Sequence, residues 1–268
     1  GIYSVINRAG FKKGNLLEPS LGTGHFFGAL PKQIRENANL TGVELDYITG
    51  KIASHLYPDA NIQITGLQNA ALSSNYFDLI VGNIPFGDIS VNDKSWKGLA
   101  DPVHKVAKSR VHNYFTVKML ELAKPGGLVA FITSSATLDT PGNGVIRRYI
   151  ADNAEFLGAI RLPNTAFKGN AGTEVTTDII FLRKFKEGED RQQKYNFTEL
   201  LPKELPHKNG YASYEVSYNE YFHDKPHMMI GTPKSGGLYR EDTFHLQGDT
   251  EKDILAEIRK KAKYVIDE

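Results

Sequence analysis

The 268-residue chain contains no cysteine. That excludes disulfides, thiolate metal sites and every mechanism built on a cysteine nucleophile. An excess of charge is also lacking: 32 Lys and Arg against 31 Asp and Glu leave a net charge of +1. Any surface for a polyanion must therefore be a local cluster. No apolar run approaches the roughly 18 residues of a membrane-spanning helix; the strongest, Leu128–Thr133 (LVAFIT), has the length of a buried strand. Residues 1–10 lack the basic start and apolar stretch of a secretory signal, so a cytoplasmic location is expected. The length allows one large core, or a main domain with a small appendage.

What is present alternates. Short apolar runs rich in β-branched residues are separated by helical patterns, the signature of a mostly parallel sheet covered by helices. Strands are expected at Asn15–Leu17, Leu40–Leu45, Ile62–Ile64, Phe77–Val81, Leu128–Thr133, Phe156–Leu162 and Val175–Leu182. Helices are expected at about Thr23–Glu36, divided by Pro31, at Tyr47–His55, ended by Pro58, at Tyr114–Leu122, stopped by Pro125-Gly126-Gly127, and near Val145–Ala151. The late pair of strands suggests one reversed edge strand. Pro163–Thr173, with Gly169 and Gly172, reads as a loop. From Lys184 the texture becomes charged, then rich in Tyr, His, Pro and Gly, regaining a helical pattern only at Lys252–Tyr264. The expected division is residues 1–189 for the main domain and 190–268 for a smaller, less regular appendage.

Two motifs point to a nucleoside-type ligand. Leu16-Leu17-Glu18-Pro19-Ser20-Leu21-Gly22-Thr23-Gly24 is a strand, an acid and a glycine turn entering a helix. Glycine lets backbone approach a ligand closely. The next strand ends Gly42-Val43-Glu44-Leu45-Asp46, putting an acid where nucleotide-binding α/β folds hold ribose hydroxyls. The third glycine of the dinucleotide fingerprint is missing, so a ligand with a ribose and no pyrophosphate fits, and S-adenosylmethionine is one. Glu18 then suits its cationic end and Leu45 its adenine face.

A third motif, Asn83-Ile84-Pro85-Phe86, directly follows the apolar run FDLIVG. Strand ends in open α/β sheets face the ligand crevice, and Pro85 stiffens the turn. The exocyclic amine of a heteroaromatic ring is a poor nucleophile because its lone pair is delocalised. The Asn83 side-chain oxygen and the Ile84 carbonyl can accept from its two N–H groups, which favours a pyramidal nitrogen, while Phe86 stacks on the ring. Such stacking contributes on the order of 1–3 kcal/mol.

The order LEPSLGTG, GVELD, FDLIVGNIPFG resembles the amino-methyltransferases with an N-P-P-Y/F catalytic motif. HNYFTVKMLELAKPGGLVAFITSSATLD, GAIRLPNTAFKGNAGTEVTTDIIFLRK and NEYFHDKPHMMIG narrow the likeness to the adenine-N6 DNA methylase domains of large phage, plasmid and conjugative-element proteins, often joined to a helicase. The resemblance implies a Rossmann-like S-adenosylmethionine-dependent methyltransferase fold with a seven-stranded sheet and one reversed strand. It implies DNA methylation of the restriction–modification kind at N6 of an adenine that is flipped from the duplex or single-stranded, with a helicase domain as a possible partner. Catalytic roles fall on Asn83, Ile84, Pro85 and Phe86, and cofactor contacts on Glu18, Pro19, Gly22, Gly24, Glu44, Leu45 and Gln68. The chain departs from the pattern at Ile84, where proline is commonest, and at Gly66-Leu67-Gln68, where many relatives carry an acid. The closing segment before the glycine turn is expected to be incomplete. Absence of cysteine excludes transfer to carbon 5 of cytosine, and Asn83 in place of serine disfavours cytosine N4. Rival readings are methylation of an RNA adenine or a protein glutamine, and a non-catalytic cofactor-binding, DNA-docking module.

Lesser candidates complete the reading. Lys94, Lys97, Lys105, Lys108 and Arg110 face only Asp101 between positions 94 and 110; a DNA-binding loop and a solvated loop fit equally. Trp96 suits packing of that loop better than contact with an extruded base. Phe167 suits core packing at least as well as flanking the base. His112 and Asn113 are expected to cap a helix. His223 and His227 are separated by Pro226, which argues against one helix carrying both, and no metal is expected.

Overall fold

Seven apolar runs become one sheet in the computed structural model, which describes residues 1–99, 101–167, 175–237, 240–249 and 253–267. The strands are β1 Gly14–Glu18, β2 Ala38–Glu44, β3 Asn61–Ile64, β4 Phe77–Asn83, β5 Ala123–Ser134, β6 Ala154–Leu162 and β7 Thr177–Lys184. Their spatial order is β3-β2-β1-β4-β5-β7-β6. Leu79, Ile80 and Val81 put β4 in the middle because both its faces are covered; burying each such side chain contributes about 1.5–3 kcal/mol.

Pairing is parallel from β3 through β5. β7 runs antiparallel to both β5 and β6. The reversed strand is therefore not the edge strand expected from sequence: it sits one place in, and β6 is the edge. The chain crosses from β5 to β6 through a helix, leaving a slot that the returning strand fills.

The helices preceding the late strands are α1 Ile2–Arg8, α2 His25–Gly28, α3 Lys32–Arg35, α4 Tyr47–Leu56, α5 Pro102–Ser109, α6 Val111–Leu122, α7 Ala136–Asp139 and α8 Gly144–Asn153. Pro31 stands between α2 and α3, and Tyr57 ends α4 before Pro58. Pro125-Gly126-Gly127 does follow the end of α6, but inside β5, whose register against β4 is broken between Phe77 and Leu79. The expected long basic loop contains α5, capped by the Asp101 side chain on the His104 amide at 3.0 Å. His112 and Asn113 are not caps: both are buried within α6, where the Asn113 amide donates to Asn143 Oδ1 at 2.8 Å. Gly169 and Gly172 lie outside the described residues.

After β7 come two antiparallel hairpins, β8 Leu200–Pro206 with β9 Ser213–Asn219 and β10 Thr232–Ser235 with β11 Phe244–Gln247. Helices follow β9 at Glu220–Asp224 and lie near the end at Ile254–Lys261 and Tyr264–Asp267. Phe197, Leu205, Val216, Tyr218, Phe222 and Leu246 join the same buried cluster as the sheet. At the junction Arg161, fully buried at the end of β6, is held by Asp178 of β7 at 2.8 Å and by Asp139 of α7 at 2.8 Å. The rings of Phe222 and Phe244 lie on that guanidinium, 4.0 and 4.9 Å from their centroids. Among the described residues no helix is long and apolar enough to cross a membrane.

Candidate active site

The carboxyl ends of β1, β2 and β4 meet at one crevice. β1 ends in Glu18, which is only 1% exposed. Burial pushes its carboxyl up to about 9; the backbone N–H groups of Phe27 and Phe26 oppose the shift, and the nearby Glu44 adds to it. Its Oε2 is buried with no hydrogen-bond partner. An orphaned acid at a strand end fits a cationic ligand group.

Beyond it the chain turns through Gly22 (φ +57°) and Gly24 (φ +84°), both in the left-handed region that favours glycine. A Cβ on Gly24 would run into the Tyr57 ring. The Tyr57 hydroxyl donates to the Gly24 carbonyl at 2.8 Å, fixing the turn from the far end of α4. Glu44, at the end of β2, accepts from the Gly22 amide at 2.7 Å through Oε2 and from the Asp46 amide at 2.8 Å through Oε1. Each oxygen keeps a further lone pair, so the carboxylate is oriented without being saturated. Leu45 beside it is 77% exposed. Pro19 is buried against Gly82 of β4. Gln68 sits in a short 3-10 turn, Leu67–Asn69, with its amide folded close to Gly66.

The β4 motif is tied to this cradle. The Ser20 hydroxyl donates to the Asn83 carbonyl at 2.7 Å, and the Ile84 amide donates to the Ile132 carbonyl of β5 at 3.0 Å. Ile84 is buried, Pro85 exposed and Phe86 half-buried. The Asn83 side chain is exposed, and among the described residues neither its amide nor the Ile84 carbonyl has a hydrogen-bond partner. Two acceptors and a ring thus stand at the central strand end, with the acid–glycine cradle on one side. Sequence reasoning missed Ser20 and Tyr57 as supports. Ser20 was visible inside the glycine motif; Tyr57 was visible only as the residue before the helix-ending proline.

Other candidates fall elsewhere. Trp96 is 2% exposed and donates to Glu121 Oε2 at 3.0 Å. Glu121 lies in the last turn of α6, where its carbonyl accepts from Asn75 just before β4 begins. Trp96 is thus at the opposite end of the sheet, about 20 Å of strand from Asn83. The loop around it is pinned: Asp93 is buried, accepting from Tyr114 at 2.7 Å and pairing with Lys118 at 2.9 Å. Arg110 is nearer the crevice, paired with Asp88 at 3.1 Å. The buried His112 imidazole has no partner on either nitrogen, and burial together with Arg110 pushes it down to about 4. Phe167 follows the crevice end of β6 and is half-buried against the core. His223 stacks on Tyr218 at 3.9 Å, and His227 lies in a separate turn, Pro226–Met228. Among the described residues no cluster of three or more His, Cys, Asp or Glu could hold a metal ion.

Comparison with known proteins bears on family and fold. A family model described as N-6 DNA Methylase matches residues 5–210. The chain is 32% identical over 186 residues to Defense against restriction protein B of Escherichia phage P1, covering 69% of this chain and 8% of that protein. It is 27% identical over 231 residues to Type II methyltransferase M.BanIII of Aneurinibacillus aneurinilyticus, covering 75% of this chain and 38% of that one. The chain thus spans well under half the length of either relative. Among solved structures, a putative class I S-adenosylmethionine-dependent methyltransferase from Listeria monocytogenes superposes with a TM-score of 0.58 at 19% identity, over 71% of this chain and 60% of that one.

Proposed function

The chain belongs to the N-6 DNA methylase family, and from that premise we propose that it transfers a methyl group to the exocyclic N6 amine of adenine in DNA. S-adenosylmethionine is the cofactor that this family and this fold use. The residues present fit it. Glu18 offers an orphaned buried carboxyl oxygen for its ammonium, Glu44 an oriented acceptor for its ribose hydroxyls, and Leu45 an exposed apolar face for its adenine. Gly22 leaves the turn between Glu18 and Glu44 open, Gly24 lets the Tyr57 ring pack against it, and in this reading Pro19 and Gln68 complete the lining. When bound, the cofactor supplies a methyl group carried on positively charged sulfur.

The observation that carries the proposal is the pair of free acceptors at the end of β4. In this reading the Asn83 amide oxygen and the Ile84 carbonyl accept from the two N–H groups of one amine; the bonds of Ser20 and Ile132 to the backbone of Asn83 and Ile84 support it. Accepting hydrogen bonds from both N–H groups withdraws the amine lone pair from the ring and stabilises the positive charge that would grow on nitrogen as its bond to the methyl carbon forms and the sulfur–carbon bond breaks, one N–H proton then being lost to solvent. Phe86 holds the ring by stacking, and Pro85 keeps the amide and the ring in fixed relation. Most of the rate comes from this positioning. Substitution of Pro by Ile at position 84 leaves the needed group, the carbonyl, in place. An adenine stacked in a duplex cannot reach a strand end, so the base must be extruded or single-stranded. A helicase domain on the same polypeptide is proposed on the sequence resemblance alone.

Asn83→Ala tests the reading. Losing a positioned hydrogen-bonding group of this kind lowers turnover by about 10²–10³-fold, while cofactor affinity, measured by calorimetry, should stay unchanged. Phe86→Tyr should retain most activity and Phe86→Ala should not. Methylation of DNA by Asn83→Ala at the normal rate, or modification of a protein glutamine alone, would overturn the assignment.

A further inference from the structure

The crevice has a second flank, on the side of β5 and β7 away from the cofactor cradle. Ser135 follows the carboxyl end of β5, the strand that pairs with Asn83 through Ile132, and Thr176 directly precedes β7. Ser135 is thus within about 10 Å of strand length of the Asn83 level. A groove of about 390 Å³ opens there between these residues and the β10–β11 hairpin, lined by Lys208, Arg240, Thr243 and His245 as well. That volume is in the range of ligand clefts.

We propose that this groove holds the sugar–phosphate backbone of the substrate DNA strand beside the target base. The inference rests on the DNA reading above and adds where the strand lies. The lining is cationic and rich in hydroxyls, the donor set that contacts phosphate and sugar, and it begins at the carboxyl end of β5, the strand next to the one that carries Asn83. Lys208 is exposed and has one protein acceptor, the Gly237 carbonyl at 3.2 Å. Arg240 is held by Asp242 through Nε at 2.9 Å and Nη2 at 2.5 Å, which orients the guanidinium and leaves Nη1 for a phosphate. Glu241 is taken up by His207 at 2.6 Å. The hairpin is anchored on the catalytic side: Leu246 accepts from the Asn164 amide at 3.1 Å and donates to Thr176 Oγ1 at 3.3 Å. Arg240, Thr243 and His245 lie beyond residue 210, where the family match ends. The family's shared part therefore supplies the chemistry, and the hairpin supplies the hold on the strand.

The test compares two double variants of the full chain with equal charge change. K208Q/R240Q alters the groove. K12Q/K13Q alters two exposed lysines that precede β1, at the opposite rim of the sheet. Binding of a fluorescent adenine-containing single strand is measured by anisotropy over a salt series, with calorimetric titration of S-adenosylmethionine alongside. For K208Q/R240Q, affinity should fall severalfold and the slope of log K against log salt should become shallower by about 0.7 for each phosphate no longer neutralised. Cofactor binding should be unchanged, and K12Q/K13Q should match the wild type. Equal slopes for K208Q/R240Q and wild type, or equal losses in both double variants, would overturn the groove while leaving DNA methylation standing. A wild-type chain that neither binds nor methylates DNA would instead sink the DNA reading itself, and the groove with it.

Discussion

The two flanks of the crevice are built in different ways. On the cofactor side the fixing interactions are mostly made by backbone amides and carbonyls. Gly22 and Asp46 hold Glu44, Leu21 bonds to Val43, and two left-handed glycines set the turn. On the far side the fixing interactions depend on buried charged and polar side chains. Arg161 joins Asp139 and Asp178 beneath Phe222 and Phe244, Arg147 donates to Thr198 at 2.7 Å and to Leu138 at 2.9 Å, and Asn219 donates through its backbone to Asp139 at 3.0 Å. Backbone groups and glycine turns make one flank. A buried charged junction makes the other, and it is where the segment after Lys184 is attached.

The largest expected effect breaks the far flank. Asp178→Ala removes one carboxylate from a fully buried guanidinium, leaving Asp139 to hold it alone. Breaking a buried pair from one side costs about 3–5 kcal/mol, because the remaining charge has neither its solvent nor its partner. Urea denaturation monitored by near-ultraviolet circular dichroism should show that loss. A change within about 0.5 kcal/mol would be a surface-like effect, and would mean that the junction does not hold the two parts together.

The cofactor flank should respond in affinity more than in stability. Glu44→Ala removes an acceptor that is already oriented by two amides, which should weaken S-adenosylmethionine binding by about 1.5–3 kcal/mol. Glu44→Gln, which keeps one oxygen acceptor, should lose less. Calorimetric titration measures both. Unchanged affinity in a folded Glu44→Ala protein would remove Glu44 from the site and leave Leu45 as the only contact at that strand end.

The contrast also explains what sequence could reveal. All seven sheet strands, the Pro31 break and the two ligand motifs were legible because each rests on a run of neighbouring residues. The slot taken by β7 was not, since strand order depends on how a long crossover returns. Nor was the docking of the basic loop on α6, which rests on Asp93 meeting Tyr114 and Lys118 and on Trp96 meeting Glu121. His112 and Asn113 have capping chemistry, yet Arg110 precedes the helix and tertiary burial places both inside it. Of the candidate site residues, Glu18, Glu44 and Asn83 stand at the ends of β1, β2 and β4, as the sequence pattern placed them. The Ser20 and Tyr57 supports and the Lys208–Arg240 groove come from pairings between residues 29 or more positions apart, such as Lys208 with Gly237.

The last comparison concerns Glu18, the acid of the cofactor flank, and it is read from a difference between two curves. Glu18 has its carboxyl raised from an ordinary 4.5 to about 9, chiefly by burial. The folded state therefore binds more protons than the unfolded state between those values. Stability from this group is fully present below pH 4.5 and is lost as pH rises toward 9. His112 acts with the opposite sign: its imidazole is lowered from 6.5 to about 4, so its stability is present above 6.5 and lost as pH falls through 4. Comparing wild type with Glu18→Gln cancels the histidine. The variant, uncharged at every pH, should be flatter across the window and relatively more stable at its alkaline end. A cation bound beside Glu18 favours the carboxylate, so S-adenosylmethionine binding near pH 7 should release a proton, seen as a binding enthalpy that changes with the ionisation enthalpy of the buffer. Glu18→Gln should abolish that dependence. Parallel stability curves for the two proteins, together with a buffer-independent enthalpy in the wild type, would show that Glu18 is already ionised in the empty crevice and that its buried oxygen has a partner.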